Sequence, residues 1–178
     1  MVFDKNGVFY KKRGFMQTWK QIEAFPKYLV SSDGSIKNME RDSLVHIRQN
    51  LQGIAITNLM RDQVRLTRSV ALIVAQAYLR PPPNEAYNSV IHLNGDRADC
   101  SANNLMWRPR WFTIKYHRMF DVQPINVSVQ IEETGEIFGT LRDACVKYGL
   151  VEQDTYVQML NNEGSFHYGY HFKRATGY

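Results

Sequence analysis

The sequence predicts an α+β chain. Three observations carry this: turn-bounded, strand-type runs fill the first third, one stretch with helical apolar spacing sits near the middle, and the last third reads as a strand followed by two short helices. Composition agrees with a folded chain. Apolar residues make up 44% of the 178 residues and charged residues 22%, a globular balance and not the low-hydrophobicity, high-charge profile of disorder.

In the first run, "WKQIEAFPKYLVSSDGSIKNM", strand-type Tyr28, Val30 and Ile36 flank the turn signal Ser-Ser-Asp-Gly, which predicts a β-hairpin. Gly34 supplies the positive φ of the turn, and Trp19, Phe25 and Tyr28 are bulky enough to give a small sheet a core. A second extended pair follows. It places Ile54, Ile56 and Leu59 on one side of a break at Gly53, with Val64 and Leu66 on the other.

The period then changes. In "RSVALIVAQAYL" the apolar residues Val70, Ile73, Val74, Ala77 and Tyr78 keep the i, i+3, i+4 spacing of an amphipathic helix, which Pro81-Pro82-Pro83 ends. This stripe is expected to be core. Val90 to Leu93 read as a short strand, and Asn94-Gly95-Asp96 as a tight turn. The following "RPRWFTIKYHRMF" mixes apolar Phe112, Ile114 and Phe120 with Arg108, Arg110, Lys115 and Arg118, which predicts one wet, basic face. "DVQPIN", residues 121–126, reads as a linker.

In the tail, Val127, Val129 and Ile131 alternate on one strand face and Thr134-Gly135 turns it. Thr140 stands three residues before Asp143, a capping-box-like start for "LRDACVKYGL", and Gly149 occupies the C-cap position. "DTYVQML", Asp154 to Leu160, is a second short helix, and the pair resembles a helix-turn-helix. The expected division is a β-rich module over 1–66, a central unit over 67–121 and a helical module over 126–178.

No run reaches the roughly 18 apolar residues of a membrane span, and the N-terminus lacks the pattern of a secretory signal, so an intracellular, cytoplasmic location is the expectation. Cys100 and Cys145 stand far apart and without metal-ligand spacing, which argues against a disulfide framework and a zinc site. Lys and Arg outnumber Asp and Glu by 22 to 17, for a net charge of +5, and a polyanionic partner is compatible with that excess.

The chemistry-bearing residues concentrate in "VIHLNGDRADCSANNLMW". Together with the preceding "LIVAQAYLRPPP", this stretch resembles the core of the HNH endonucleases of phages and mobile introns: a Leu-Val-Ala-containing helix, a proline-rich turn, a histidine followed by a Gly-Asp or Gly-Asn turn, and Asn-Leu-x-Trp. The upstream "TWKQIEAFPKYLVSSDGSIKN" is similar to the nuclease-associated modular motif of homing enzymes, and "ETGEIFGTLRDACVKYGL" through "YGYHF" to their appended helical DNA-binding modules. The resemblance runs from residue 18 to 174.

It implies a ββα-metal-like HNH core at 67–121 and a homing-type endonuclease that hydrolyses phosphodiester bonds of double-stranded DNA with Mg2+ or Mn2+, in a phage-infected bacterial host. His92 becomes the general base, the role a neutral imidazole can play at cellular pH, and Asn104 orients the loop that bears it. Two positions depart from the family pattern. Ile91 stands where homing members place Asp or Asn, and Thr113 where they place Asn or His. Asp96, Asp99 and His117 are open as replacement ligands, with turn or surface roles as the ordinary reading of each. The metal ligands are therefore left unassigned.

Lys11, Lys12, Arg13, Arg108, Arg110, Lys115, Arg118, Lys173 and Arg174 cluster beside Tyr10, Trp111, Tyr116 and Phe172, a pattern that favours contact with phosphates. On the second tail helix Gln158 is the one side chain suited to reading adenine. Three classes stay open: an active endonuclease, a DNA-binding regulator or assembly component on the same fold with its ion lost, and an interaction protein using the aromatics of "FHYGYHF".

Overall fold

The computed structural model describes residues 10–12, 15–161 and 169–175, and it is α+β. Strands β1 (Tyr10–Lys12) and β2 (Phe15–Gln17) form a two-stranded antiparallel ribbon. Next comes a meander of β3 (Trp19–Ile22), β4 (Phe25–Ser31), β5 (Ile36–Asn38) and β6 (Ser43–Leu44), hydrogen-bonded in chain order. The Ser-Ser-Asp-Gly turn closes the β4–β5 hairpin in the expected place, with Val30 opposite Ile36. Asp33 accepts from the Ser31 hydroxyl and the Ser35 amide, and Gly34 takes φ +90°. A Cβ on Gly34 would stand 3.0 Å from that of Cys100, so the turn lies tight against the loop of the central unit.

A second antiparallel sheet joins β7 (Ile47–Gln49), β8 (Ala55–Arg61) and β9 (Val64–Ser69). Here the structure corrects the sequence reading. Gly53 (φ +75°) turns β7 into β8, whereas Leu59 and Val64 are separated by Asp62-Gln63, both at positive φ without being glycine. The Tyr28 hydroxyl accepts from the Met60 amide at 3.1 Å and so ties the two sheets.

Helix α1 (Val70–Tyr78) starts at Ser69, whose hydroxyl accepts from the Leu72 amide, and ends at Leu79 ahead of the prolines. Val70, Ala71, Ile73, Val74 and Ala75 are buried. They form one core with Phe25, Tyr28, Val30, Ile36 and Leu59 of the sheets and Val90, Cys100 and Leu105 of the unit that follows. Among the described residues no helix is long and apolar enough to cross a membrane.

That unit is β10 (Ser89–His92), a 3-10 turn over Ala102–Asn104, β11 (Leu105–Arg108) and α2 (Arg110–Arg118). β10 and β11 pair antiparallel, with Ile91 opposite Met106 and His92 opposite Leu105. Helix α2 packs on β10 and buries Phe112, Tyr116 and His117. Ile114, expected on its apolar face, is half exposed instead.

In the tail, β12 (Val129–Ile131) lies between β13 (Ile137–Phe138) and β14 (Phe172–Arg174). α3 (Leu141–Tyr148) carries the expected caps: Thr140 Oγ1 accepts from the Asp143 amide at 3.1 Å, and Gly149 is left-handed at φ +63°. α4 (Glu152–Leu160) begins two residues earlier than the sequence reading. Leu141, Ala144, Cys145 and Leu150 with Val129 and Ile131 make the tail's own core.

A third cluster joins Ile91, Phe112, Tyr116 and Met119 to Val151 of the tail. A Cβ on Gly149 would meet Met106 Sδ at 2.7 Å and Ile91 Cδ1 at 3.3 Å, so the α3–α4 turn seats directly on the β10–β11 hairpin. The 121–126 segment is strapped down from the same side. Arg142 donates to the Val122 carbonyl and, from Nε, to Glu152 Oε2 at 2.9 Å, while fully buried Glu152 accepts the Ile125 amide at 2.9 Å. Cys100 and Cys145 are buried free thiols, held well above the usual range by burial.

Candidate active site

His92 closes β10, and the loop after it folds back onto Asn104. The buried Asn104 side chain makes three hydrogen bonds there: Oδ1 accepts from the Asn94 amide at 3.0 Å, and Nδ2 donates to Asn94 Oδ1 at 3.0 Å and to the Asp99 carbonyl at 2.8 Å. The backbone adds Leu93 N–H to the Asn104 carbonyl at 2.8 Å and Gly95 N–H to the His92 carbonyl at 3.0 Å. Gly95 is needed twice over, for its φ of +81° and because the Phe120 ring lies 2.6 Å from where a Cβ would be. The clamp is itself propped by the first sheet, since the Ala102 amide donates to the Ser32 carbonyl at 2.8 Å.

Strand alternation sends Ile91 and His92 to opposite faces. Ile91, at 0% exposure, enters the third core, whereas His92 lines a cavity of about 620 Å3 between β10, α1 and α2. His117 lines the same cavity, its ring centroid 5.6 Å from that of His92 and the ring planes 47° apart. The two residues are 4% and 8% exposed, and neither nitrogen of His92 nor Nδ1 of His117 has a hydrogen-bond partner. Buried polar atoms without partners are uncommon and call for an explanation.

Burial drives both imidazoles down to a pKa of about 4. For His92, Arg97 adds to the fall while Asp99 and Asp96 oppose it, and for His117, Arg97 and His92 add to it. Both rings are therefore neutral at cellular pH. The cavity also presents Arg97, Arg110 and Arg118, together with Ser69, Asn88 and Thr113, and no carboxylate among the described residues lines it. It is an anion-favouring concavity with two neutral bases in its wall.

Asp96 and Asp99 hold the loop. Asp96 caps the Ala98 amide, and Asp99 accepts from Ser101 and from Asn94 Nδ2. Both follow their ordinary reading as turn residues. His117 does not, because α2 turns it inward to His92. The signal was present in the sequence: His117 lies four residues, one helical turn, beyond Thr113.

The basic residues divide. Arg110 and Arg118 are exposed at the cavity and Trp111 stands beside them at 58% exposure. Arg108, expected on the DNA side, is 8% exposed and donates to the Gly149 carbonyl at 3.1 Å and to that of Tyr148 at 3.3 Å, so it joins the tail to the core. Tyr116, expected beside it at the surface, is fully buried and its hydroxyl donates to the Leu93 carbonyl at 2.9 Å. Lys115 pairs with Asp154 at 3.2 Å, and Lys173 with Glu132 at 3.4 Å. Arg174 is exposed on β14, and Gln158 is half-buried with Oε1 sealed from solvent. Lys11 and Lys12 lie on β1. Arg13 and the first three residues of "FHYGYHF" (166–168) lie outside the described residues.

Superposed on the HNH homing endonuclease I-HmuI, from a structure of DNA binding and cleavage by that enzyme, the chain gives a TM-score of 0.52 at 17% identity, covering 90% of this chain and 99% of the other. The chain has the HNH endonuclease fold. In sequence, this HNH-fold chain is similar to an uncharacterized HNH endonuclease of Acanthamoeba polyphaga mimivirus, 29% identical over 93 residues. Those residues are 51% of this chain and 23% of the viral protein, so the chain spans about a quarter of that relative's length. No family model matches the HNH-fold chain.

Proposed function

We propose that the protein is an HNH-type DNA endonuclease of the homing kind, acting on duplex DNA inside the cell that carries it. The observation that carries this reading is the pairing of a neutral, solvent-shielded imidazole at His92, on a loop held by Asn104, with a cavity rimmed by Arg97, Arg110 and Arg118. A phosphodiester anion is the ligand such a cavity favours. The likeness to an HNH endonuclease in sequence and to I-HmuI in shape supports the same substrate.

In this reading the arginines receive the phosphate, and His92 takes the proton of the attacking water as its oxygen bonds to phosphorus and the 3′ or 5′ oxygen leaves. At a pKa of about 4 His92 is a weak base in the free protein; a bound phosphate anion raises it toward its ordinary value by favouring the imidazolium. Asn104 does no chemistry and fixes where the ring stands.

The divalent ion that the family implies would supply charge stabilisation at the phosphate and the leaving oxygen. The residues present fit only part of that role. Ile91 is apolar and sealed in the core, and among the described residues no carboxylate lines the cavity and no group of three or more His, Cys, Asp and Glu could hold a metal. A hard, oxygen-coordinated Mg2+ site does not fit here. The same fact favours a second reading, a DNA-binding protein on the HNH fold that no longer cuts.

One experiment separates the two. With divalent ions present, the endonuclease converts supercoiled plasmid to open circle, and His92→Ala abolishes conversion while a gel-shift titration is unchanged. Salt-dependent binding without cleavage by the wild type would establish the second reading. No salt-dependent binding at all would remove both.

A further inference from the structure

We infer that Trp111 is a stacking platform for a nucleobase lifted out of a DNA duplex, so that the protein prefers a locally opened step to a uniform duplex. The inference rests on the nuclease reading, which puts the phosphate in the arginine-lined cavity, and adds a seat for the base beside it.

Helix α2 leaves two large apolar side chains in water, Trp111 at 58% exposure and Ile114 at 50%. With about 100° between successive residues, Arg110, Ile114, Arg118 and Trp111 follow one another round the helix within a sector roughly 100° wide. All four are exposed, and Arg110, Ile114 and Arg118 line the cavity that holds His92. The apolar pair is therefore interleaved with two guanidiniums. A patch built in this way marks an interaction face.

The flanks decide the occupant. No carboxylate among the described residues lines the cavity, and Asp154, which approaches α2, is paired with Lys115 at 3.2 Å. The partner is an anion that also offers a flat apolar face. A nucleotide has both, a phosphate for the arginines and a base for the indole. The indole is also held in advance: the buried Phe112 ring stands against it with centroids 5.7 Å apart and planes 73° apart, so little side-chain freedom is lost when a base stacks on it. In a regular duplex each base face is covered by its neighbours. An indole reaches one only where the stack is opened, and opening costs least at an unpaired base.

The test uses the full chain, with a duplex carrying one unpaired adenine and the same duplex fully paired. Of the three tryptophans, Trp19 is buried and Trp107 partly buried, so iodide quenching reads Trp111. The opened duplex should bind roughly fivefold or more tightly by gel shift and shield Trp111 from iodide. Trp111→Ala should erase the preference and Trp111→Phe should keep most of it, whereas Arg118→Gln should weaken both duplexes alike. Equal affinities in wild type, or a preference unchanged in Trp111→Ala, would overturn the inference. So would iodide still reaching Trp111 in the complex, which needs no variant to fold. Shielding that grows with protein concentration alone would assign the face to a second copy of the chain, and shielding by anionic phospholipid vesicles but not by DNA would assign it to a membrane; either result refutes the base. Plasmid nicking with Trp111 still exposed would sink this inference and leave the nuclease reading standing. No gel shift with either duplex would remove both.

Discussion

Replacing Asn104 with Ala removes one buried carboxamide that makes three hydrogen bonds, to the Asn94 amide, to Asn94 Oδ1 and to the Asp99 carbonyl. A hydrogen bond within a folded protein is worth about 1 kcal/mol net, and a buried group left without its partner costs about 1–3 kcal/mol. Asn94 and Asp99 lie at a partly exposed turn where water can replace some of what is lost, so the expected destabilisation is about 2–4 kcal/mol. For a chain of this size that lowers Tm by roughly 5–12 °C. The exposed neighbour Asn103 is the control, and its replacement by Ala should stay within about 0.5 kcal/mol. The functional consequence is separable from the stability loss. Below the variant's Tm the arginines of the cavity are untouched, so DNA affinity by gel shift should change little, whereas a His92 ring displaced by about 1 Å should cost about 100-fold in nicking rate. Wild-type nicking by a folded Asn104→Ala protein would refute the claim that the clamp positions the base.

Stability should fall in mild acid. His92 and His117 have folded pKa values of about 4 against 6.5 unfolded. Their depressed values mean that the unfolded chain binds protons first, so stability is intact above pH 6.5 and is lost as pH falls toward 4, by up to about 3 kcal/mol for each ring. Urea titrations at pH 7 and pH 5 read this; a His92→Gln, His117→Gln double variant should flatten the difference, and an unchanged slope would contradict it. At the Arg142–Glu152 pair, with Glu152 fully buried, Glu152→Ala strands a buried guanidinium and should cost about 3–5 kcal/mol. Replacing both residues with Met and Leu should cost much less by the same denaturation assay; equal losses would show that the pair's charge is not what matters.

The caps and turns were legible in the sequence because each rests on local chemistry: Ser69 and the prolines around α1, Thr140 and Gly149 around α3, Ser-Ser-Asp-Gly in the first hairpin. Asn104 was legible through the resemblance. What the sequence hid depends on which elements meet. Asp62-Gln63 turns β8 into β9 without the glycine that normally marks positive φ. Apolar Ile114 faces out and Tyr116 faces in because the third core lies on the far side of α2, where Val151 of the tail arrives. Arg108 reads as a phosphate ligand in isolation and becomes an internal donor only because Gly149 presents its carbonyl there. His117 was one of three open candidates and was not singled out because the helix register of α2 was poorly marked; the fold brings it, one helical turn beyond Thr113, to His92.

The missing acidic ligand and the docked tail are one physical fact. Alternation along β10 aims residue 91 away from the cavity, and there Ile91 is sealed by Phe112, Tyr116, Met119 and Val151, with Cδ1 3.3 Å from a Cβ position on Gly149. Restoring the family's carboxylate by Ile91→Asp would therefore not rebuild a hard-ion site. It would remove a fully buried apolar side chain, worth about 2–5 kcal/mol on truncation of that size, and set a carboxylate in an apolar cluster beside an Arg108 already committed to the Gly149 carbonyl. The protein should respond by neutralising the acid or by releasing the α3–α4 turn from the hairpin. Loss of at least about 4 kcal/mol in urea, with faster proteolysis at the 121–126 segment and no gain in Mg2+ binding, is the expected outcome. An Ile91→Asp protein that melted like the wild type and bound Mg2+ would mean that residue 91 can reach the cavity, and the division of labour between the two faces of β10 would be wrong.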